Sequence, residues 1–272
     1  MKKLIALALT GVMAISMVAC GSKEEKATNR LEKIMAEGKI VVATSPDWAP
    51  YEFENPNAEG QDKYVGSDME LARYIAEKLG VELEISAMDF DACIAAVGEG
   101  RVDLTIIDMA PTEERGLLMD FTDTYYDDAS QNIVIRKEDA EKFTSLADFT
   151  ADTKIAAQNG SLQYTLVTEQ TGATIETIAK ATDGILMLQT GKIDGVAVAG
   201  FVANTFVEKN DDLTIIPEGL IYDTAGVSCG VPKGEEELVA KLNEIIAEVV
   251  EQGLYFQWME DATALVNELG VQ

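Results

Sequence analysis

From residue 39 onward, apolar positions follow two spacings in turn, one typical of strands and one typical of helices. Residues 39–44 form a compact run rich in β-branched side chains, which predicts a buried strand. After the capping-box sequence at 67–70, apolar residues recur at helical spacing until Gly80, where we expect the helix to end. Two strand patterns with a helical pattern between them complete this half, at 81–85, 89–97 and 102–107. Such a β-α-β-α-β series predicts a parallel sheet with flanking helices.

The alternation begins again after residue 130. Strand-like runs and one helical pattern follow each other at 133–135, 154–157, 162–171 and 196–198. The last stretch, from Leu238 to Leu269, is helical on both sides of Gly253. We therefore predict two α/β lobes. Because ligands bind beyond the carboxyl ends of parallel strands, the chemistry is expected in the loops after Thr44, Ile107, Ala157 and Val198.

Composition narrows the functional classes. The chain has 48 Asp and Glu residues against 21 Lys and Arg, a net charge of -27, which argues against nucleic acid as a partner. It has no histidine, which removes Ser-His-Asp and Cys-His catalysis and histidine-based metal sites. Cys20, Cys93 and Cys229 have no CxxC spacing, so neither a metal nor a cofactor is predicted. Export would permit a disulfide between Cys93 and Cys229, although two buried free thiols are the preferred interpretation.

The N-terminus is typical of an export signal. Two lysines precede an almost wholly apolar stretch at 4–18, which is short for a membrane span of roughly 20 residues. Met17-Val-Ala-Cys20 resembles the lipobox of bacterial lipoproteins, with Met17 in place of the commoner leucine. That resemblance implies a signal peptide at 1–19, a diacylglycerol thioether on Cys20 and a tether at 20–37. The alternative is an ordinary cleaved signal followed by an incidental cysteine.

Several motifs of the body resemble the polar amino-acid family (family 3) of bacterial extracellular solute-binding proteins. They stand in the family's order at 44–53 (TSPDWAPYEF), 66–71 (GSDMEL), 100–103 (GRVD), 109–115 (MAPTEER) and 191–195 (GKIDG). No single motif is decisive, but together they cover the chain from about residue 39 to its end.

The family resemblance implies a type II periplasmic-binding-protein-like fold, with two parallel-rich sheets and flanking helices joined by a two-crossover hinge. The expected divisions are lobe 1 at 38–128 plus 225–272 and lobe 2 at 129–224, with crossovers near 127–129 and 223–225. The implied function is that of a monomeric substrate-binding lipoprotein of an ABC importer. It would capture an amino acid or related small zwitterion and deliver it to a permease and its ATPase. It would be exported and anchored to the outer face of the membrane or facing the periplasm.

The resemblance also places a ligand site between the lobes. Arg115 would fork onto the ligand carboxylate with two charge-assisted hydrogen bonds, the alternative being a surface arginine paired with Glu114 or Asp120. Trp48 and Phe90 would be aromatic walls, with core packing as the alternative for each.

The second lobe is expected to meet the same carboxylate. Ser161, after Gly160, stands where a helix begins, and the free backbone N–H groups there favour an anion. A plain N-cap is the alternative, and both roles can hold at once. Gln163 is expected to add an amide to the site.

Departures from the family pattern are as informative as the matches. The acidic residue that usually takes the ligand ammonium from lobe 2 is replaced by Ala199, and Ala110 replaces a hydroxyl. Asp108 stands instead where a small residue is usual in lobe 1. Because a buried ammonium needs a counter-charge, we predict that the negative charge has moved to Asp108. The alternative is a ligand without an amine at that point.

Two other classes of function remain as alternatives. Exported dehydratase-type enzymes share the two-lobe frame, and without histidine the candidate acids or bases would be Asp108, Asp47 and Asp91. A ligand-sensing receptor component is the second alternative. Such receptors usually carry a spanning helix, and none is apparent after the leader.

Overall fold

The structure is a computed structural model that describes residues 29–127, 130–222 and 226–271. The predicted signal peptide, Cys20, residues 128–129 of the first predicted crossover and the whole of the second at 223–225 therefore lie outside the described residues. No helix in the described ranges is both long and apolar enough to cross a membrane.

The elements alternate along the chain as the hydrophobic pattern predicts. The strands are β1 Lys39–Thr44, β2 Asp47–Trp48, β3 Glu52–Glu54, β4 Tyr64–Val65, β5 Glu82–Ala87, β6 Leu104–Thr105, β7 Met119–Phe121, β8 Gln131–Arg136, β9 Lys154–Gln158, β10 Thr174–Ile178, β11 Gly195–Ala199, β12 Leu213–Ile215 and β13 Gly230–Pro232. The helices are α1 Arg30–Glu37, α2 Ser67–Leu79, α3 Phe90–Gly98, α4 Glu113–Gly116, α5 Leu162–Gln170, α6 Ala181–Gln189, α7 Gly200–Lys209, α8 Glu236–Gln252 and α9 Leu254–Leu269. Short 3₁₀ turns follow β8 at Lys137–Asp139 and Leu146–Asp148.

Two five-stranded sheets form the framework. The first has the strand order β5-β1-β6-β13-β7, with β1 parallel to β5 and β6 and with β13 antiparallel to β6 and β7. The second has the order β10-β9-β11-β8-β12, with β9 parallel to β10 and β11 and with β8 antiparallel to β11 and β12. The predicted α/β fold with two parallel-rich sheets is confirmed.

The C-terminal residues return to the first sheet. Strand β13 inserts between β6 and β7, and the apolar face of α8 is buried along its length, as its spacing predicts. Tyr255 of α9 packs beside Tyr125, with ring centroids 5.0 Å apart. The segment that precedes the first crossover is thus fixed to the last helix of the chain.

The predicted tether is too long. Residues 30–37 form α1, whose Ile34 is 1% exposed within the core of the first sheet. Arg30 at its start pairs with Asp103 at 2.9 Å and donates to the Gly100 carbonyl oxygen. The pattern was hard to recognise because an eight-residue helix presents only one or two apolar positions to the core.

A predicted capping box at 67–70 is also wrong. The N-cap of α2 is Gly66, and the Ser67 hydroxyl donates to the Tyr255 hydroxyl instead. Gly66 has φ +122°, and a Cβ there would lie 2.1 Å from the Tyr51 carbonyl oxygen. This close approach lets the Asp68 N–H donate to that same oxygen at 2.9 Å. The loop that carries Trp48 is thereby held against the start of α2.

Candidate functional site

A small cavity lies where the two sheets face each other. The first sheet and its loops contribute Trp48, Phe90, Ile107, Asp108, Ala110, Arg115 and Val227, and the second contributes Gln131, Gln158, Leu162, Gln163 and Tyr222. The cavity volume is about 20 Å³, room for little more than one water molecule. A larger molecule can therefore reach it only when the lobes separate.

Arg115 is the cation of this cavity. It is 7% exposed, and its backbone N–H is bonded to the Thr112 side chain that caps α4. Its Nη1 donates to the Ala110 carbonyl oxygen at 2.8 Å, and its Nη2 donates across the cleft to the Gly160 carbonyl oxygen at 3.0 Å. Burial lowers the pKa of the guanidinium to about 10, so it remains charged at neutral pH. The Phe90 ring centroid lies 5.4 Å from its Cζ.

The alternative of a surface arginine in an ion pair is wrong. Asp120 pairs with Lys233 at 2.7 Å instead, and within the described ranges no carboxylate oxygen lies within 4.0 Å of the Arg115 guanidinium. In the described part of the chain, backbone carbonyls occupy two of the five N–H donors of this buried guanidinium, so other donors can still bind a ligand.

Asp108 is the anion of the same cavity. It follows β6 with φ 46°, a left-handed conformation that is uncommon outside glycine. The Trp48 indole Nε1 donates to its Oδ2 at 2.9 Å, and its own backbone N–H donates to Asp68 Oδ2 at 2.8 Å. Both predicted residues, Trp48 and Asp108, are therefore brought together at the cavity wall by a direct bond.

Of the site residues predicted from the second lobe, the structure places some at the cavity and others away from it. Gln163 lines the cavity, and its Nε2 donates to Gln131 Oε1 at 2.5 Å. Ser161 is the N-cap of α5, where its Oγ accepts from the Tyr164 N–H at 3.0 Å. Gly160 joins the site through its carbonyl oxygen, which accepts from Arg115. Ala199 ends β11 fully buried and is not among the residues that line the cavity.

Buried carboxylates next to the cavity wall hold the site in place, since Asp68 accepts from the Asp108 N–H. Asp68 Oδ1 accepts from the Tyr255 hydroxyl at 2.6 Å and from the Tyr125 hydroxyl at 3.0 Å. Burial, followed by the charge of Asp68, holds the pKa of Glu52 well above its usual value. Burial also raises the pKa of Asp68, against the lowering effect of its hydrogen bonds. The folded protein therefore favours the neutral form of the Glu52 carboxyl.

Sequence reasoning missed several of these groups. Gln131 and Gln158 stand at the edges of predicted strands, and Glu52 lies between two buried aromatic residues, Tyr51 and Phe53. Asp68 was assigned to a helix start rather than to the site. One signal was available for Glu52, namely its position between two apolar residues of the core. Because a buried carboxylate requires hydrogen-bond partners, this position indicates other polar groups nearby.

Cys93 and Cys229 are both buried free thiols, as expected. Burial raises the pKa of Cys93 to about 12, so it stays protonated and unreactive at neutral pH. Within the described ranges there is no cluster of side chains that could hold a metal ion.

Two α/β lobes thus face each other across a small cavity whose wall includes the charged side chains of Arg115 and Asp108. Residues 40–261 match the family of bacterial extracellular solute-binding proteins, family 3, and the chain belongs to that family. The predicted family and function class are confirmed.

Individual relatives cover nearly the whole chain. The arginine-binding extracellular protein ArtP of Bacillus subtilis is 30% identical over 93% of this chain and 94% of its own. The glutamine-binding protein GlnH of an ABC transporter of the same organism is 24% identical over 97% of this chain and 100% of its own. A crystal structure of an amino acid ABC transporter substrate-binding protein from Streptococcus pneumoniae, bound to L-arginine, has a TM-score of 0.81. It is 32% identical and covers 87% of this chain and 98% of that one.

These relatives are binding proteins, so the dehydratase alternative is set aside. The other proposed general bases have structural partners instead. Asp47 accepts three hydrogen bonds, and Asp91 accepts from the Asn159 side chain at 2.7 Å.

The raised pKa of Glu52 makes stability depend on pH. A group whose folded-state pKa is raised stabilises the fold below its unfolded pKa, and that contribution is lost as pH rises through the folded pKa. We expect Glu52→Gln, which keeps a donor toward Asp68 without ionising, to unfold at higher urea concentration than the parent at pH 8. The difference should shrink toward pH 4. The exposed Glu54, which pairs with Lys63, supplies the control Glu54→Gln, for which no such gain is expected. A gain independent of pH would contradict the raised pKa of Glu52.

Proposed function

We propose that the chain captures an α-amino acid in this cavity and delivers it to the permease of an ABC importer. The single observation that supports this most strongly is a buried, charged Arg115 whose hydrogen-bond partners are backbone carbonyls. A buried cation without a counter-ion costs several kcal/mol, and a ligand carboxylate would supply that counter-ion. The planar guanidinium matches a carboxylate with two parallel bonds, each contributing about 1.5–3 kcal/mol.

Asp108 is the proposed partner of the ligand ammonium. It lines the same cavity as Arg115, whereas Ala199, at the position of the usual acidic residue, is buried away from it. A carboxylate accepts up to about four hydrogen bonds, so the bond from the Trp48 indole is compatible with another from an ammonium. The indole N–H also fixes the rotamer of the carboxylate before ligand arrives. Both charges of a zwitterion would thus be paired with residues of the first lobe.

The remaining predicted contacts are assigned by the same reasoning. A hydroxyl accepts and donates, so Ser161 could cap α5 and still donate to the ligand carboxylate from the second lobe. Gln163 would offer its amide, Trp48 and Phe90 would enclose the ligand side chain, and Ala110 leaves room beside Arg115. Gly160 would act indirectly, because its carbonyl oxygen holds the guanidinium in position.

Ligand transfer would follow from lobe motion. We propose lobe 1 at 30–127 plus 226–271 and lobe 2 at 130–222; most of each predicted crossover lies outside the described ranges. The lobes would open and close on a microsecond-to-millisecond timescale, and the ligand would favour closure because it contacts both. The closed monomer would then dock on the permease, and the ATPase would drive release.

A lipid on Cys20 would keep the protein next to that permease. The family is extracellular, and Met17-Val-Ala-Cys20 supports attachment to the outer face of the membrane. The polar residues that follow, up to the start of α1 at Arg30, would be the tether.

The amino-acid proposal is tested by thermal shift on the chain from residue 21, which contains every described residue. The screen would compare L-amino acids, simple amines and small carboxylates. A true ligand at a hundred times its Kd should add about 2.7 kcal/mol, a rise of several degrees in Tm. Arg115→Ala should remove that rise and weaken binding by about a hundredfold or more, since two charge-assisted bonds are lost. Arg101→Ala, at an exposed arginine paired with Glu99, is the matched control. Stabilisation by an amino acid that survives Arg115→Ala would refute the assignment.

A separate variant tests the position of the negative charge. Asp108→Asn should raise the Kd of α-amino acids by at least about thirtyfold, because it leaves the ammonium without its counter-charge. Binding of the corresponding amine-free carboxylic acids should not weaken. Isothermal titration calorimetry measures both, with the exposed Asp183→Asn as control. Undiminished affinity for α-amino acids would show that Asp108 serves another role.

The lipid anchor is tested in cells. Cys20→Ser should abolish incorporation of radiolabelled palmitate and move the protein from the membrane fraction to the soluble exported fraction. Cys93→Ser, which changes a buried thiol far from the leader, should leave both unchanged. Membrane retention of the Cys20→Ser protein would argue for an uncleaved leader. A parent protein that is already soluble and carries no palmitate would instead indicate an ordinary cleaved signal.

A further inference from the structure

A second set of bonds crosses the cleft beside the cavity, and it is centred on Asp47. This residue of β2, in the first lobe, is 8% exposed. Its Oδ1 accepts from the Ser45 hydroxyl of the same loop at 2.8 Å. Its Oδ2 accepts from two groups of the second lobe, the Ala181 N–H at 2.8 Å and Gln158 Nε2 at 3.1 Å.

The Ala181 N–H is the first of helix α6, and α6 has no cap of its own. The N-cap position is Lys180, in extended conformation, and its side chain makes no capping bond. A lysine has no acceptor to offer, so it cannot satisfy the N–H groups of the first turn. The negative charge that complements this helix start comes from Asp47 on the opposite lobe. When the cleft opens, the Asp47 carboxylate and the first N–H of α6 would lose each other as partners and be hydrated instead.

Asp47 does not belong to the ligand cavity. It lines the outer groove on the other side of the contact, together with Asp89 and Lys180, and it is not among the residues that line the inner cavity. Among the described residues, Asp47 is connected to that space through its hydrogen bond from Gln158, which lines the cavity. Asp47 can therefore affect the binding of a ligand only by changing the equilibrium between open and closed lobes.

We propose that Asp47 is a positioning residue that latches the closed clamp by capping α6 across the cleft. The closed state is then stabilised by a contact between the lobes as well as by the ligand. The apparent affinity of a clamp is its intrinsic affinity scaled by the population of the closed state. A latch of this kind raises affinity for every ligand by one common factor and leaves selectivity unchanged.

The charges around Asp47 are consistent with this role. Lys180 favours its ionised form and Asp89 opposes it, while burial opposes ionisation more strongly than either. A buried carboxylate in such surroundings is retained only where its hydrogen bonds are made. In the closed clamp three donors meet it, two of them from the other lobe.

The test compares Asp47→Ala and Asp47→Asn with Asp89→Ala, which removes an exposed acid from the same groove without a bond across the cleft. All twenty L-amino acids and L-cystine are first screened, and the two compounds that bind most tightly are the probes. Each probe is titrated by calorimetry into the chain from residue 21. Asp47→Ala should raise both Kd values by the same factor, about two- to thirtyfold, which corresponds to the loss of a helix cap. Asp47→Asn, which keeps a neutral acceptor, should lose less. Asp89→Ala should change neither value.

Hydrogen exchange at the start of α6 supplies a readout that needs no ligand. The Ala181 amide should exchange faster in Asp47→Ala than in the parent, while the far end of α6 and the thermal midpoint change little. Ser45→Ala, which removes only the bond within the lobe, guards against a folding defect and should retain the slow exchange. Unchanged Kd values together with unchanged exchange would overturn the latch. A change in the ratio of the two Kd values would instead show that Asp47 contacts the ligand. Failure of every probe to bind would count against the amino-acid proposal, and the exchange measurement would still decide on the latch.

Discussion

The buried carboxylate of Asp68 is the interaction on which the site depends. One of its oxygens holds the backbone of Asp108, and the other accepts from Tyr125 and Tyr255. It thereby connects the loop after β6, the segment before the first crossover and the last helix of the chain. An uncommon left-handed residue such as Asp108 persists only where its surroundings over-determine it, and the Asp68 bond supplies that constraint. The raised pKa of the neighbouring Glu52 favours its neutral form, which reduces the cost of burying two acids together.

The cation of the site depends on closure in a different way. Arg115 belongs to the first lobe, but one of its two bonds reaches the Gly160 carbonyl oxygen of the second. The segment from the end of β9 to the start of α5 thus contributes three contacts across the cleft, since Gln158 also donates to Asp47 and Asn159 to Asp91. A clamp organised in this way orients its guanidinium most fully when the lobes are together. Ligand and lobe contacts therefore favour the same state, as a population-shift mechanism requires.

The two charged side chains that line the cavity, Arg115 and Asp108, both belong to the first lobe. Ala199 of the second lobe is fully buried at the end of β11 and does not line the cavity. If the ammonium is held at Asp108, both ends of a zwitterion are bound by the first lobe alone. The second lobe then contributes amides, a helix start and closure. In such an arrangement the ligand would first dock on one lobe, and the second lobe would then close over it.

Much of this protein was determined by its sequence alone. Hydrophobic spacing predicted β1, α2 and the apolar face of α8, because residues at period two or near 3.6 must share a buried face. The family motifs, in order, predicted the two lobes and singled out Arg115, Trp48 and Asp108, which the structure brings to one cavity. Only the tertiary structure decided which polar groups meet. Helix α1 was missed because a single buried isoleucine carries little periodicity, and the partners of Asp68 and Asp47 lie up to 187 and 134 residues away along the chain. Local patterns report which face of an element is buried, whereas the pairing of buried carboxylates with their donors depends on how distant elements pack. That pairing became visible only once the lobes were folded and closed.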